Sequence, residues 1–287
     1  MRSASVRWPI RPPRPFALVL GTSEIASAVA VTLTGAGCAV VMSHDPYPPV
    51  IRRGMAFHDV LFGEAREVEG VGGERADTMA EIARIHADAG KVVVTELHLT
   101  DVIALRTPAV IVDARMQKHR VTPDLRGIAR VTVGLGPHFD VGVNCDIAIE
   151  THPCETGALV TAGATRPADG EARDLGGAGR ERFVYAGHDA VWHTPVDIGA
   201  RIYKGFQLGS LGGQPVLAPL DGTLRGIVRD GARVPAGVKL LEIDPRGRGA
   251  SWTGMDARGR AIAAGVAVAV ARMLNEKRTL SLVPATT

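Results

Sequence analysis

Aromatic residues supply only 4% of this 287-residue chain. A core without rings to organise it must be aliphatic, built on Val, Ala, Leu and Ile. Cysteine is scarce as well. Cys38, Cys145 and Cys154 are an odd number with no C-x-x-C pair. That argues against a disulfide framework and favours a reducing, cytoplasmic setting. No segment offers about 18 uninterrupted apolar residues, so no membrane partner is expected. The net charge of +3 is too small to argue for nucleic acid.

Glycine and proline are plentiful, 34 and 18 residues, so tight turns are frequent. Residues 1–15 carry Arg2, Arg7, Arg11 and Arg14 with four prolines. They read as a disordered or surface-lying tail. A signal peptide fits less well, because Glu24 interrupts the apolar region that follows.

The informative stretch is Phe16 to Gly37. Phe16–Leu20 reads as a buried strand. Gly21-Thr22-Ser23-Glu24 is a tight turn, Ile25 to Thr34 a helix of small residues, and Cys38–Met42 a second strand. Strand, glycine turn, helix, strand is the first unit of a dinucleotide-binding α/β fold. Its turn offers N–H groups to a phosphate at a helix N-terminus. Asp45 stands at the spacing where an acidic residue meets a ribose hydroxyl. The G-x-G-x-x-G/A fingerprint reads Gly21, Ser23, Ala26 here, so Ser23 either donates to a phosphate or caps the helix.

Further along, Arg52 and Arg53 are adjacent cations at the start of a predicted helix that ends near Gly63. They either clamp an anion or lie solvated. Asp77–Ala89 has helical periodicity. Lys91–Val94, Ala109–Val112, Val131–Val133 and Asp146–Glu150 read as short strands of a parallel sheet. Asp113 and Gly134-Leu135-Gly136-Pro137 fall at carboxyl ends of such strands. In open α/β sheets ligands bind there, so Gly21, Asp45, Asp113 and Gly134–Pro137 are expected to share one crevice. Residues 156–179 read as a long loop. Cys145, His152 and Cys154 match no zinc spacing, and no metal is expected. His188 and His193 read as surface or hydrogen-bonded residues.

From Ala186 a repeat appears at a constant offset of 32 residues, pairing Gly199-Ala200-Arg201-Ile202 with Gly231-Ala232-Arg233-Val234. Ala186, Asp189, Gly205 and Leu208 pair with Ala218, Asp221, Gly237 and Leu240 in the same way. Two interlocking β-halves closing one small sandwich are expected. The second copy resembles the biotinyl/lipoyl carrier pattern. The joint between the halves, Leu208–Leu217, contains no lysine, so no covalent biotin or lipoate is expected. A final helix is expected from about Asp256 to Glu276, with Ala261, Ala264, Gly265, Val268 and Met273 on its apolar face. It either docks on the first domain or makes a homo-oligomer. Thr279–Thr287 reads as a loose tail.

The order of these motifs resembles the selenium-dependent molybdenum hydroxylase maturation (accessory) proteins, themselves similar to xanthine dehydrogenase accessory factors. The resemblance runs from Phe16 to about Leu274. It is carried by Leu18–Gly21 with Glu24-Ile25-Ala26, Ile51-Arg52-Arg53, Val112-Asp113-Ala114 with Lys118, and Gly134–Pro137. Asp146 with Glu150-Thr151, Ala218–Gly222, Ile243–Gly247 and Arg260–Ala263 complete it. Together these readings give an α/β chain. A Rossmann-like domain spans 16–183, a barrel-sandwich domain 184–247, and a C-terminal helix and tail 248–287.

The resemblance implies help in assembling a molybdenum hydroxylase, which would be the protein partner. A molybdopterin-type cofactor or dinucleotide would suit the turns at Gly21-Thr22-Ser23 and Gly134, Gly136 and Pro137. Arg52, Arg53 or Lys118 would supply counter-charge, and Asp45 or Asp113 would accept from a ribose or pterin hydroxyl. Two alternatives remain open. One is an NAD(P)-dependent oxidoreductase, with Lys118 as its proton-transfer residue. The other is a non-catalytic scaffold whose β-domain docks a partner. Nothing in the sequence decides whether the chain is an enzyme.

Overall fold

Residues 14–118 and 122–280 are described by a computed structural model, which for 276–280 gives the backbone only. Most of the tail expected over 1–15, and residues 281–287 of the one expected at the end, lie outside the described residues. Arg14 is described: its guanidinium donates to the carbonyl of His86.

The first part alternates short strands and helices. In order they are β1 (Phe16–Leu20), α1 (Glu24–Gly35), β2 (Ala39–Ser43), β3 (Arg66–Val68), β4 (Val71–Arg75), α2 (Met79–Ala87) and β5 (Lys91–Thr95). Then come α3 (Leu99–Leu105), β6 (Val110–Asp113), β7 (Val131–Leu135), β8 (Asp140–Val141), β9 (Ile147–Ile149), β10 (Leu159–Val160) and β11 (Gly163–Ala164). Nine strands make one sheet in the order β10-β9-β7-β6-β1-β2-β5-β4-β3, and β8 pairs β11 apart from it. All neighbours in the large sheet are parallel except β3 with β4 and β10 with β9.

The central strands are Val- and Ile-rich and buried on both faces, as a sheet covered on both sides requires. From β1 the chain steps outward through β2 and β5, then returns to the other side with β6, β7 and β9. The order therefore reverses between β1 and β6, which opens a crevice at their carboxyl ends. The helix predicted to end near Gly63 is instead two short 3₁₀ turns, Arg53–Met55 and His58–Phe62. Helix α2 is closed at its start by a capping box between Thr78 and Glu81.

The second part is antiparallel: β12 (Phe183–Tyr185), β13 (Ala190–His193), β14 (Arg201–Ile202), β15 (Gln207–Leu211), β16 (Gln214–Leu217), β17 (Gly222–Ile227), β18 (Arg233–Val234) and β19 (Lys239–Asp244). It forms two four-stranded sheets, β12-β19-β17-β14 and β16-β15-β13-β18. The 32-residue offset maps β12–β15 onto β16–β19. Each sheet thus has a central pair from one copy and both edges from the other. The hydrogen bonds repeat with it. Gly205 N donates to Ala218 O and Gly237 N to Ala186 O; Gly199 N donates to Leu224 O and Gly231 N to Trp192 O.

Helix α4 (Ala257–Leu280) lies with α1 over one face of the large sheet. Its buried face is Ile262, Ala263, Val266, Ala269 and Val270. That corrects the expected face: Val268 is 56% exposed. Small side chains allow close contact. A Cβ on Gly265 would strike the carbonyl oxygen of Gly157, and one on Gly157 that of Ala261. The two parts are laced together at β17, where Ile227 N donates to Ile51 O at 2.8 Å. Gly226 lets that backbone approach; a Cβ there would sit 2.9 Å from Ile51 O.

Candidate functional site

The carboxyl ends of β1, β6 and β7 bring two glycine turns to one edge. Gly21, with φ +101°, follows β1 and packs on the segment after β6; an added Cβ would lie 3.1 Å from Ala114 O. Gly136, also at φ +101°, follows β7 and faces Met116 of the same segment; an added Cβ would lie 3.4 Å from its sulfur. Ala114–Met116 therefore runs between the two turns. The turns are less open than the sequence implies. Gly21 N donates to Ser43 O at 2.8 Å. Gly134 is a strand residue paired with Asp113 and Ala148, with the Phe139 ring pressed on it. Pro137 is buried and has no N–H to offer. The Ser23 hydroxyl accepts from Ala26 N, so Ser23 caps α1.

The two arginines expected to clamp an anion are engaged by carboxylates. Arg52 donates Nε and Nη2 to the two oxygens of Glu242 at 2.7 and 3.2 Å, and Nη1 to Glu24 at 3.2 Å. Arg53 Nη1 donates to buried Asp59 at 2.7 Å and its Nε to Ile227 O at 2.9 Å. Both side chains tie the large sheet to the β-module. Glu242 is wholly buried and also accepts from Arg182 Nε at 3.1 Å. Burial would push its carboxyl up, but Arg52, Arg225 and Arg182 outweigh that and hold it below the usual range.

The two aspartates at strand ends belong to one network. Asp113 takes two bonds from Arg115, at 2.9 and 2.6 Å. Asp45 accepts from Gln117 Nε2 and Tyr47 N, both at 2.9 Å, and lies 3.7 Å from Arg115 Nη1. Of these, Asp45 and Arg115 line a cleft of about 190 Å³ together with His98 and Leu20.

Two cations that the sequence reading did not single out stand near the start of α1. Lys239, the first residue of β19, sits over the Phe183 ring with Nζ 3.9 Å from its centre. Burial, then the charges of Arg52 and Lys118, lower its ammonium to about 8, against the opposing pull of Glu242 and Glu24. Arg258 on α4 donates to Thr151 O at 3.3 Å and feels Glu24 and Arg52. Burial lowers its guanidinium as well. Among the described residues neither forms a salt bridge with a carboxylate. Lys118 is exposed, and its carbonyl accepts from His138 at 2.9 Å.

Also missed were two histidines. Thr22 is buried, and its hydroxyl lies 3.1 Å from Nδ1 of His44 and 3.0 Å from Nδ1 of His58. Their rings line a second cleft, of about 330 Å³, between the sheet edge and the β-module. Single histidines from different segments, His44 after β2 and His58 in a 3₁₀ turn, carry no spacing that a sequence can reveal; the turn at Gly21 brings Thr22 between them.

Cys38 and Cys145 are buried, and burial raises both thiols, Cys145 to about 12. Neither is suited to form a thiolate. Cys154 is exposed, and its amide donates to His152 Nδ1. Among the described residues no cluster of three or more His, Cys, Asp or Glu side chains could hold a metal ion, and no helix is long and apolar enough to cross a membrane.

No family model matches the chain. It is similar to the uncharacterized protein YqeB of Escherichia coli (strain K12), at 30% identity over 260 residues. The match covers 90% of this chain and 48% of YqeB, so the chain spans about half the length of that curated relative.

Proposed function

We propose that this chain is an accessory factor for a molybdenum hydroxylase. It would hold a phosphate-bearing cofactor, of molybdopterin or nucleotide type, at the carboxyl edge of the large sheet and pass it to that enzyme in the cytoplasm. The first part is read as a Rossmann-like domain, because its strand order reverses beside a glycine turn that opens a helix. The second is read as a biotinyl/lipoyl-like barrel-sandwich, because two copies interlock about a hairpin. That hairpin carries Gly212-Gly213 and no lysine, so the module serves docking and not covalent carriage.

One observation supports the anion site: Lys239 and Arg258 are partly desolvated cations that form no salt bridge among the described residues, and both feel the charge of Glu24 in the first turn of α1. A desolvated cation is costly until an anion reaches it, and the helix dipole favours the same charge. Glu24 opposes this from the first turn, but Arg52 already neutralises it. Arg52 and Arg53 are replaced in this reading by Lys239, Arg258 and Lys118.

Calorimetric titration with pyrophosphate, nucleotides and molybdopterin tests the proposal. Saturable binding that weakens at least tenfold in Lys239→Met and Arg258→Gln supports it. Equal binding by both variants moves the site elsewhere, and no binding by any ligand removes the cofactor reading. A docking role for the β-module has its own support: Tyr203, Phe206 and Leu217 are exposed apolar side chains on adjoining turns and strands of that module.

A further inference from the structure

The 330 Å³ cleft is distinct from the anion site and does not depend on it. Its apolar wall includes Pro46, Pro49, Val50 and Phe62, and its polar groups include His44, His58, Arg229 and Arg233. A volume at the lower end of small-molecule sites suits one or two fused rings. Arg229 packs over the Phe62 ring at 4.2 Å and is tied to Glu64 at 2.6 Å and Asp59 at 3.3 Å. Arg233 is exposed and forms no ion pair among the described residues.

The two imidazoles are coupled through one hydroxyl. Thr22 Oγ1 has a single proton, so it donates to one Nδ1 only. The other Nδ1 must carry its own proton and donate to the oxygen. Two donating Nδ1 atoms would leave the buried Thr22 proton with no acceptor, and two accepting ones would compete for it. Burial favours the neutral form of both rings. Burial, then His44, Arg53 and Arg229, push His58 down to about 3. Burial lowers His44 too, against the weaker opposite pulls of Glu96 and Asp45. Assigned from this network, the rings are opposite tautomers. On the far side of each ring from Thr22, one Nε2 is a donor and the other a bare acceptor. His58 is 7% exposed, and no described side chain or backbone group bonds to either Nε2.

We propose that this cleft binds a small planar cyclic amide, reading its adjacent N–H and C=O with the unlike Nε2 atoms of His44 and His58. Thr22 sets the pair, and Arg233 at the mouth selects a ligand with an anionic substituent.

The test uses the full chain labelled with ¹⁵N at histidine, with orotate, uracil and benzoate as probes. In the free protein at pH 7, one of His44 and His58 shows an Nδ1–H pattern and the other an Nε2–H pattern. Orotate moves both sets of signals saturably, uracil does so at least tenfold more weakly, and benzoate does not. Arg233→Gln brings orotate down to the level of uracil. Thr22→Val weakens orotate at least tenfold, while Thr22→Ser, which keeps the hydroxyl, stays within threefold of the parent. Pyrophosphate leaves both rings unmoved, which separates this cleft from the anion site. Identical tautomers, a protonated ring at pH 7, no response to orotate, or equal binding of benzoate would each overturn the proposal. The tautomer measurement needs no variant, so it stands even if Thr22→Val fails to fold.

Discussion

Arg52 and Glu242 are joined by a two-toothed pair, Nε to Oε2 at 2.7 Å and Nη2 to Oε1 at 3.2 Å, across 190 residues of chain. The carboxylate is wholly buried, and the arginine side chain is 16% exposed. This pair fixes the start of the Arg53–Met55 turn on the central strand β19, so the sheet edge and the β-module hold one relative position.

Removing the cation leaves Glu242 buried with Arg182 as its remaining hydrogen-bonding partner. Arg52→Met is expected to cost about 3–5 kcal/mol, as for breaking other buried pairs. Urea denaturation measures it. A loss under about 1 kcal/mol would show that the pair is not what holds the two parts.

Acid should weaken the fold before its carboxylates titrate. His58 has a folded pKa far below its unfolded value of about 6.5, so between the two the unfolded chain holds a proton that the native one does not. Stability is full above 6.5 and falls by about 1.4 kcal/mol per pH unit below it, with His44 and His86 adding in the same direction. Urea midpoints between pH 7 and pH 5 would show the slope, and His58→Asn should flatten it.

Anion binding carries a different pH signature. The Lys239 ammonium titrates near 8, so the charge that would meet a phosphate is lost above that pH. Pyrophosphate affinity should fall above pH 8, with a slope approaching tenfold per unit. A flat profile from pH 7 to 9.5 would separate Lys239 from the ligand.

Gly265→Ala sets two effects against each other. Alanine favours a helix over glycine by about 1 kcal/mol. Its Cβ, however, would enter the space of the Gly157 carbonyl, a backbone atom that cannot swing aside. Overpacking costs about 1–3 kcal/mol, so a net loss is expected, seen as a lowered melting temperature.

The central strands of the large sheet were legible because each is a short β-branched run bounded by turn residues, and the repeat because glycines recur at a fixed offset; β10 and β11 were not, because they are two-residue strands inside a stretch that reads as a loop. The α4 face was not, since Ala and Gly surround that helix and leave little apolar contrast to fix a face. Arg52 and Arg53 looked like an anion clamp because their carboxylates, Glu242 and Asp59, come from elements that only folding brings near. Lys239 carries no local pattern either: its setting depends on the Phe183 ring and on charges from three other segments. His44 and His58 had no local pattern at all. Asp45 and Asp113 were read correctly as strand-end residues; their arginine and glutamine neighbours come from the segment after β6, which has no motif.

The exchange of edges between the two small sheets has a consequence for how the module completes itself. One copy alone would present an inner pair of strands with bare ladders on both sides, and two outer strands with nothing to border. Such a fragment is complete only when it meets its twin. Carrying both copies on one polypeptide makes that meeting an event within the chain, independent of concentration.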